Sequence, residues 1–124
     1  GHPEVSRVIY PGLQTGEEGR LAAKYMRGGQ GGLVGFELAG GAAAGRAFID
    51  RLQMVYHVAN IGDARTLAIH PASTTHSQLA AEEQLATGVS PGYVRLSVGI
   101  EHPDDILADL RQALDGVGTQ KAAE

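Results

Sequence analysis

The chain has 124 residues, a formal net charge of -4, 43% hydrophobic and 19% charged residues, and no cysteine. That composition gives one domain long enough to bury a core. It excludes a disordered tail, disulfide scaffolds, thiolate metal sites and cysteine nucleophiles, and it disfavours a strongly basic nucleic-acid binder. No apolar run approaches the roughly 18–20 residues of a membrane span and no signal peptide is readable, so a soluble cytoplasmic protein with no membrane or nucleic-acid partner is expected.

Gly1-His2 reads as the scar of a cleaved tag, which leaves one domain over residues 3–124. Val5 to Tyr10 reads as a short extended segment, and Pro11-Gly12 ends it with turn chemistry. Glu17 to Met26 reads as a helix, with acidic residues in its first turn, Leu21, Ala22 and Tyr25 on one side, and Gly28-Gly29 as a stop. Leu33 to Leu38 alternates as a strand with one packed face. Ala42 to Leu52 reads as a second helix, with Ala43, Ala47, Phe48 and Leu52 near one face.

A strand is expected through Val55 to Val58, then the loop Asn60-Ile61-Gly62-Asp63, then a strand from Thr66 to His70 that Pro71 ends. Leu79 to Ala86 reads as a short helix. Tyr93 to Ile100 carries the cleanest alternation: Val94, Leu96, Val98 and Ile100 on one face, Tyr93, Arg95 and Ser97 on the other. Asp104 to Leu114 forms a helix with Pro103 ahead of it, Ile106, Leu107, Leu110 and Leu114 as its stripe, and Gly116 as its stop. The fold class is therefore α/β (α+β): a small, mostly antiparallel sheet of three to four strands covered by helices.

Arg95 is the most suggestive single residue. A guanidinium fork matches a carboxylate in two places, and a strand holds it rigidly. Alternation alone favours an ordinary solvated or salt-bridging arginine. The Asn60–Asp63 loop has site-like composition and equally ordinary turn composition. Ser73, Thr74, Thr75 and Ser77 surround His76, but no nucleophile elbow is present, and His57, His70 and His76 match no metal spacing. Capping of the next helix by these hydroxyls is the plainer expectation. The glycine run 28–32 precedes a strand, whereas a phosphate loop follows one, so nucleotide binding is not expected.

Five words occur in order: Tyr10-Pro11-Gly12-Leu13, Gly31 to Leu38, Ala59 to Asp63, His70-Pro71-Ala72-Ser73-Thr74-Thr75-His76 and Arg95-Leu96-Ser97-Val98-Gly99-Ile100-Glu101. Together they resemble the C-terminal domain of the Cys/Met-metabolism family of pyridoxal-phosphate (PLP) enzymes, and among its members the O-acetylhomoserine sulfhydrylases.

The resemblance implies a small substrate-carboxylate-binding domain of a fold-type I enzyme that is a homotetramer when intact. It implies O-acetyl-L-homoserine and sulfide as the parent's substrates, in a γ-replacement giving L-homocysteine and acetate in methionine biosynthesis. Arg95 takes the place of the residue that binds the substrate α-carboxylate. Asn60 and Ile61 lie beside it, and Thr75 lies near the substrate pocket.

The family's Ser-x-Thr-Lys segment is absent, and Lys24 and Lys121 are the only lysines. PLP is then expected on a large domain outside this chain. No catalytic, cofactor-binding or metal-binding residue is expected within it, and the fragment alone is expected to be inactive. A parent of the cystathionine γ-synthase or γ-lyase type, a stand-alone amino-acid-binding regulatory module, and an interaction domain with an exposed apolar patch are the competing readings.

Overall fold

The computed structural model describes residues 1–121, with the backbone alone for Ala81 and residues 118–121. Among the described residues five strands form one sheet: β1 (Val5–Ile9), β2 (Leu33–Leu38), β3 (Tyr56–His57), β4 (Leu67–Ile69) and β5 (Tyr93–Ser97). Their order is β1-β2-β5-β4-β3. Every pairing is antiparallel except β3 with β4. The sheet has five strands against the expected three to four because every extended segment of the sequence joins it, including the two-residue β3 at the edge, which pairs with β4 over Tyr56 and His57.

Four helices accompany the sheet: α1 (Gly16–Tyr25), α2 (Gly41–Arg51), α3 (Ala81–Ala86) and α4 (Pro103–Lys121). The core lies between one sheet face and the α2–α4 pair. Phe36, Leu38, Val94 and Leu96 from the sheet meet Phe48, Ile49, Ala113, Leu114 and Val117 from the helices. Phe36 and Phe48 meet edge to face at 5.5 Å between ring centroids, the arrangement that aromatic quadrupoles favour.

Three expected helical details change, each because tertiary packing overrides local pattern. In α2 the buried stripe is Ala44, Gly45, Phe48 and Ile49, and Ala43 is exposed. Gly45 faces the buried His70 ring, and a β-carbon there would run into it. In α4, Leu107 is exposed and Asp109 is buried in its place. Nor does α4 stop at Gly116. It runs on to Lys121, and Gly116 instead marks where the Arg51 side chain of α2 passes, closer than a β-carbon would allow.

Strand β5 also ends early. Val98 N–H bonds Gly32 O, Gly99 N–H bonds Thr66 Oγ1 and Ile100 N–H bonds Ala64 O, so the chain leaves the ladder after Ser97 and Ile100 is exposed. Glu101 secures this exit by accepting from Thr66 N–H at 2.6 Å and Thr66 Oγ1 at 2.7 Å. His2 is tied into the fold as well, through Asp115 at 3.0 Å and the Val5 N–H. No described helix is long and apolar enough to cross a membrane.

Asp109 joins α4 to the chain between α2 and β3. Its carboxylate accepts the N–H groups of Gln53, Met54 and Val55, each at 2.9 Å, and Gln112 Nε2 at 2.9 Å. Burial works to raise its pKa, but the three backbone amides and Gln112 together outweigh that and hold the carboxyl below its ordinary value. A carboxyl with a lowered folded-state pKa contributes stability that is full above the unfolded value of about 3.9 and is lost as the pH falls through the folded value. Asp109→Asn should therefore destabilise the chain at pH 7 by about 2 kcal/mol, the range for hydrogen bonds to charged groups. Urea unfolding at pH 7 and pH 3 checks it, with the gap between wild type and variant narrowing in acid.

Candidate functional site

The alternation of β5 decides which side chains reach the second sheet face. Val94 and Leu96 are buried against the helices, so Tyr93, Arg95 and Ser97 point the other way. Register places Leu33, Gly35 and Glu37 of β2 opposite Ser97, Arg95 and Tyr93. On the other side Leu67 and Ile69 of β4 stand opposite Ser97 and Arg95.

The loop 59–62 is tied to this face by hydrogen bonds. Arg95 Nη2 donates to Ala59 O at 2.6 Å and, at 3.5 Å, to Asn60 O. Gly62 N–H donates to Ser97 Oγ at 3.1 Å. Gly62 adopts φ +76°, a left-handed conformation that costs other residues and lets the loop turn back toward the sheet. Arg95 is half-buried. Its Nε is buried and has no hydrogen-bond partner among the described residues. One arm of the fork is thus fixed by backbone, and the guanidinium as a whole is not neutralised by any described carboxylate.

Among the sequence-derived site residues, Asn60 meets Arg95 through its main-chain oxygen. Ile61 follows in the same loop and is exposed. Thr75 is exposed and its Oγ1 bonds His76 Nδ1 at 2.9 Å, and no described hydrogen bond joins it to Arg95. Three contributors were not singled out as site residues: the Ala59 carbonyl, Ser97 and Tyr93. Alternation already puts Ser97 and Tyr93 on Arg95's face, but nothing in the sequence marks a main-chain oxygen.

The segment after β4 is built on His70. Its buried ring meets Pro91 O at 2.7 Å through Nε2 and Ser73 Oγ at 2.8 Å through Nδ1. A carbonyl only accepts, so Nε2 carries the proton. The hydroxyls expected to cap the next helix serve main-chain carbonyls instead: Thr74 Oγ1 donates to His70 O and Ser77 Oγ to Thr74 O. Glu83, which accepts from Ala80 N–H at 2.8 Å, caps α3. No group of three or more His, Asp or Glu side chains among the described residues is placed to hold a metal.

The family model for Cys/Met metabolism PLP-dependent enzymes matches residues 1–115. An O-acetyl-L-homoserine sulfhydrylase of Leptospira meyeri is 54% identical over 117 residues, covering 94% of this chain and 26% of that protein. A crystal structure from Campylobacter jejuni, described as an O-acetylhomoserine (thiol)-lyase carrying a pyridoxyl-lysine-5′-monophosphate, superposes with a TM-score of 0.82 at 41% identity over 92% of this chain and 27% of that one. A cystathionine γ-synthase of Xanthomonas oryzae pv. oryzae with aminoacrylate and cysteine also reaches 0.82, at 42% identity over 96% and 30%. The chain thus spans about a quarter of the length of the curated relatives it matches.

The described side chains do not fit PLP as its holders. An imine needs a placed amine. Lys24, in α1, has its ammonium 4.9 Å from the Tyr25 ring centroid and no described contact with Arg95 or the 59–62 loop. The Lys121 side chain lies outside the described residues.

Burial pushes the His70 imidazole below its ordinary pKa. The Pro91 carbonyl opposes this, and the charges of Arg46 and His57 add to it. A base with a lowered folded-state pKa resists protonation on folding, so stability is full above the unfolded value of about 6.5 and is lost as the pH falls below it. The thermal midpoint should drop between pH 7.5 and pH 5.5, and His70→Gln should lose most of that slope, as differential scanning fluorimetry across the range would show.

Proposed function

The chain belongs to the family of Cys/Met metabolism PLP-dependent enzymes, and we propose that it is the C-terminal, carboxylate-binding domain of an O-acetylhomoserine sulfhydrylase. In that reading the intact enzyme joins O-acetyl-L-homoserine and sulfide into L-homocysteine and acetate. PLP supplies the electron sink and is held by a part of the enzyme outside these residues. The domain has no chemistry of its own, so the chain alone with added PLP yields no homocysteine.

The observation that carries the reading is the state of Arg95. It stands mid-strand on a rigid sheet, half-buried, with Nη2 fixed on Ala59 O and no described carboxylate to neutralise it. A guanidinium held in one orientation loses little freedom when it grips a substrate carboxylate in two places. The 59–62 loop sets that orientation through Ala59 O and is itself held by Ser97. Its contribution is positional, because a fixed carboxylate fixes the rest of the amino acid relative to the reacting group. Thr75, in the hydroxyl-rich segment beyond β4, is assigned to the pocket on family pattern.

The similarity to a cystathionine γ-synthase keeps a second reading open, one in which cysteine is the thiol donor. Assaying the intact enzyme with sulfide and with cysteine separates the two.

Arg95→Ala in the intact enzyme should raise KM for O-acetyl-L-homoserine at least tenfold, about 1.4 kcal/mol. Arg95→Lys should not restore it, because an ammonium is a point charge and not a planar fork. Steady-state kinetics decide, and an unchanged KM removes Arg95 from the site.

A further inference from the structure

Of the segment Arg95 to Glu101, the carboxylate reading employs Arg95, yet the rest of the segment grips the same piece of chain. That piece is residues 58–66, which join β3 to β4. The two strands are parallel neighbours, a connection that ordinarily needs a helix of its own. No described helix lies within this one, so its course is set by what it bonds to. The bonds run in step along both segments. Ala59 O and Asn60 O accept from Arg95 Nη2, and Gly62 N–H donates to Ser97 Oγ. Ala64 O accepts from Ile100 N–H, and Thr66 N–H donates to Glu101 Oε1.

The two ends of this grip are charged and the middle is neutral. At one end the Arg95 guanidinium holds main-chain oxygens. At the other the Glu101 carboxylate takes Thr66 N–H at 2.6 Å on one oxygen and Thr66 Oγ1 at 2.7 Å on the other, both charge-assisted. Thr66 is fully buried, and its hydroxyl is used both ways, since it also accepts Gly99 N–H at 2.9 Å. Gly99 is needed for this approach, because a β-carbon there would run into Ala64 O and the Arg65 carbonyl carbon. The Thr66 amide, and then its hydroxyl, hold the Glu101 carboxyl below its ordinary pKa against partial burial and the charge of Asp63.

The stretch between the two ends is stiff. The Asp63 carboxylate accepts Arg65 N–H at 2.9 Å and the Arg65 side chain at 3.3 Å, and the Arg65 guanidinium lies 4.4 Å from the centre of the Tyr56 ring of β3. A hold at Thr66 is thereby carried back toward Gly62 and the oxygens that meet Arg95.

We propose that Glu101 is a positioning residue for substrate binding. Its carboxylate fixes the far end of the 58–66 connection, the connection presents the Ala59 and Asn60 oxygens, and these keep the Arg95 guanidinium in the orientation that receives a carboxylate. The inference rests on the carboxylate reading of Arg95 and adds a residue that acts through the loop, since no described hydrogen bond or ion pair joins Glu101 to Arg95. Without this hold the arginine samples several orientations and has to be frozen when substrate arrives, which weakens binding by a factor of about three to ten. A bound carboxylate fixes the arginine again, so the step after binding is spared.

Steady-state kinetics of the intact enzyme test this. Glu101→Ala should raise KM for O-acetyl-L-homoserine about three- to tenfold and leave kcat within about twofold, with circular dichroism showing a folded variant. Glu101→Gln, which keeps one accepting oxygen, should fall between that variant and wild type. In an Arg95→Ala background, adding Glu101→Ala should lower kcat/KM by less than about twofold, because the group it positions is gone. Where Glu101→Ala does not fold, Thr66→Val carries the same cycle, since it removes the hydroxyl contact and keeps the side chain's shape. An unchanged KM, a loss in kcat alone, or a full further loss in the Arg95→Ala background overturns the proposal and leaves the carboxylate reading standing. An unchanged KM in Arg95→Ala itself overturns both.

Discussion

The two-residue period of a strand fixes β5, and the site follows from it. With Val94 and Leu96 locked under α2 and α4, Arg95 has no choice of face. A slip of one residue would drive a guanidinium into the core and lift two aliphatic side chains into water, so the register is set by the hydrophobic effect rather than by the arginine itself. The antiparallel partners then determine Arg95's surroundings. Gly35 on one side leaves space for an aromatic ring, and Ile69 on the other supplies a buried apolar neighbour.

Orientation comes from a second layer of interactions. Arg95 is restrained by main-chain oxygens of residues 59 and 60, and that loop is in turn restrained by Ser97. Below it, Glu101 and Thr66 hold the end of β5 against the start of β4. Main-chain carbonyls are neutral acceptors, so they aim the guanidinium without cancelling its charge. A carboxylate in the same place would aim it equally well and silence it. A chain of net charge -4 thereby keeps on this face a guanidinium unpaired by any described carboxylate.

Much of the element order is legible in the sequence because punctuation and periodicity agree: Gly40-Gly41 ahead of α2, Pro103 with two aspartates at the start of α4, and strict alternation through Tyr93 to Ser97. The departures share a cause. Leu107 fits the apolar stripe of α4 and is exposed, while Asp109 breaks the stripe and is buried, because three amides of the α2–β3 connection converge on it. Gly116 looks like a helix stop and is a crossing point for Arg51. Ile100 continues the alternation of β5 on paper, but the chain has already turned away to bond Ala64. In each case the deciding partner lies more than thirty residues away, beyond any local pattern.

For the site itself, the sequence determines that Arg95, Ser97 and Tyr93 share one face, since the pleat alone dictates it. The five ordered words tie that face to a family whose members use PLP. Only the tertiary structure decides that loop 59–62 folds back onto it, that the contacts are main-chain oxygens carrying no side-chain signature, and that Glu37 is brought diagonal to Arg95 by pairing strands that begin sixty residues apart. A strand's alternation is a local property of the backbone. Which strands pair, and what then stands beside a charge, is settled only when the core closes.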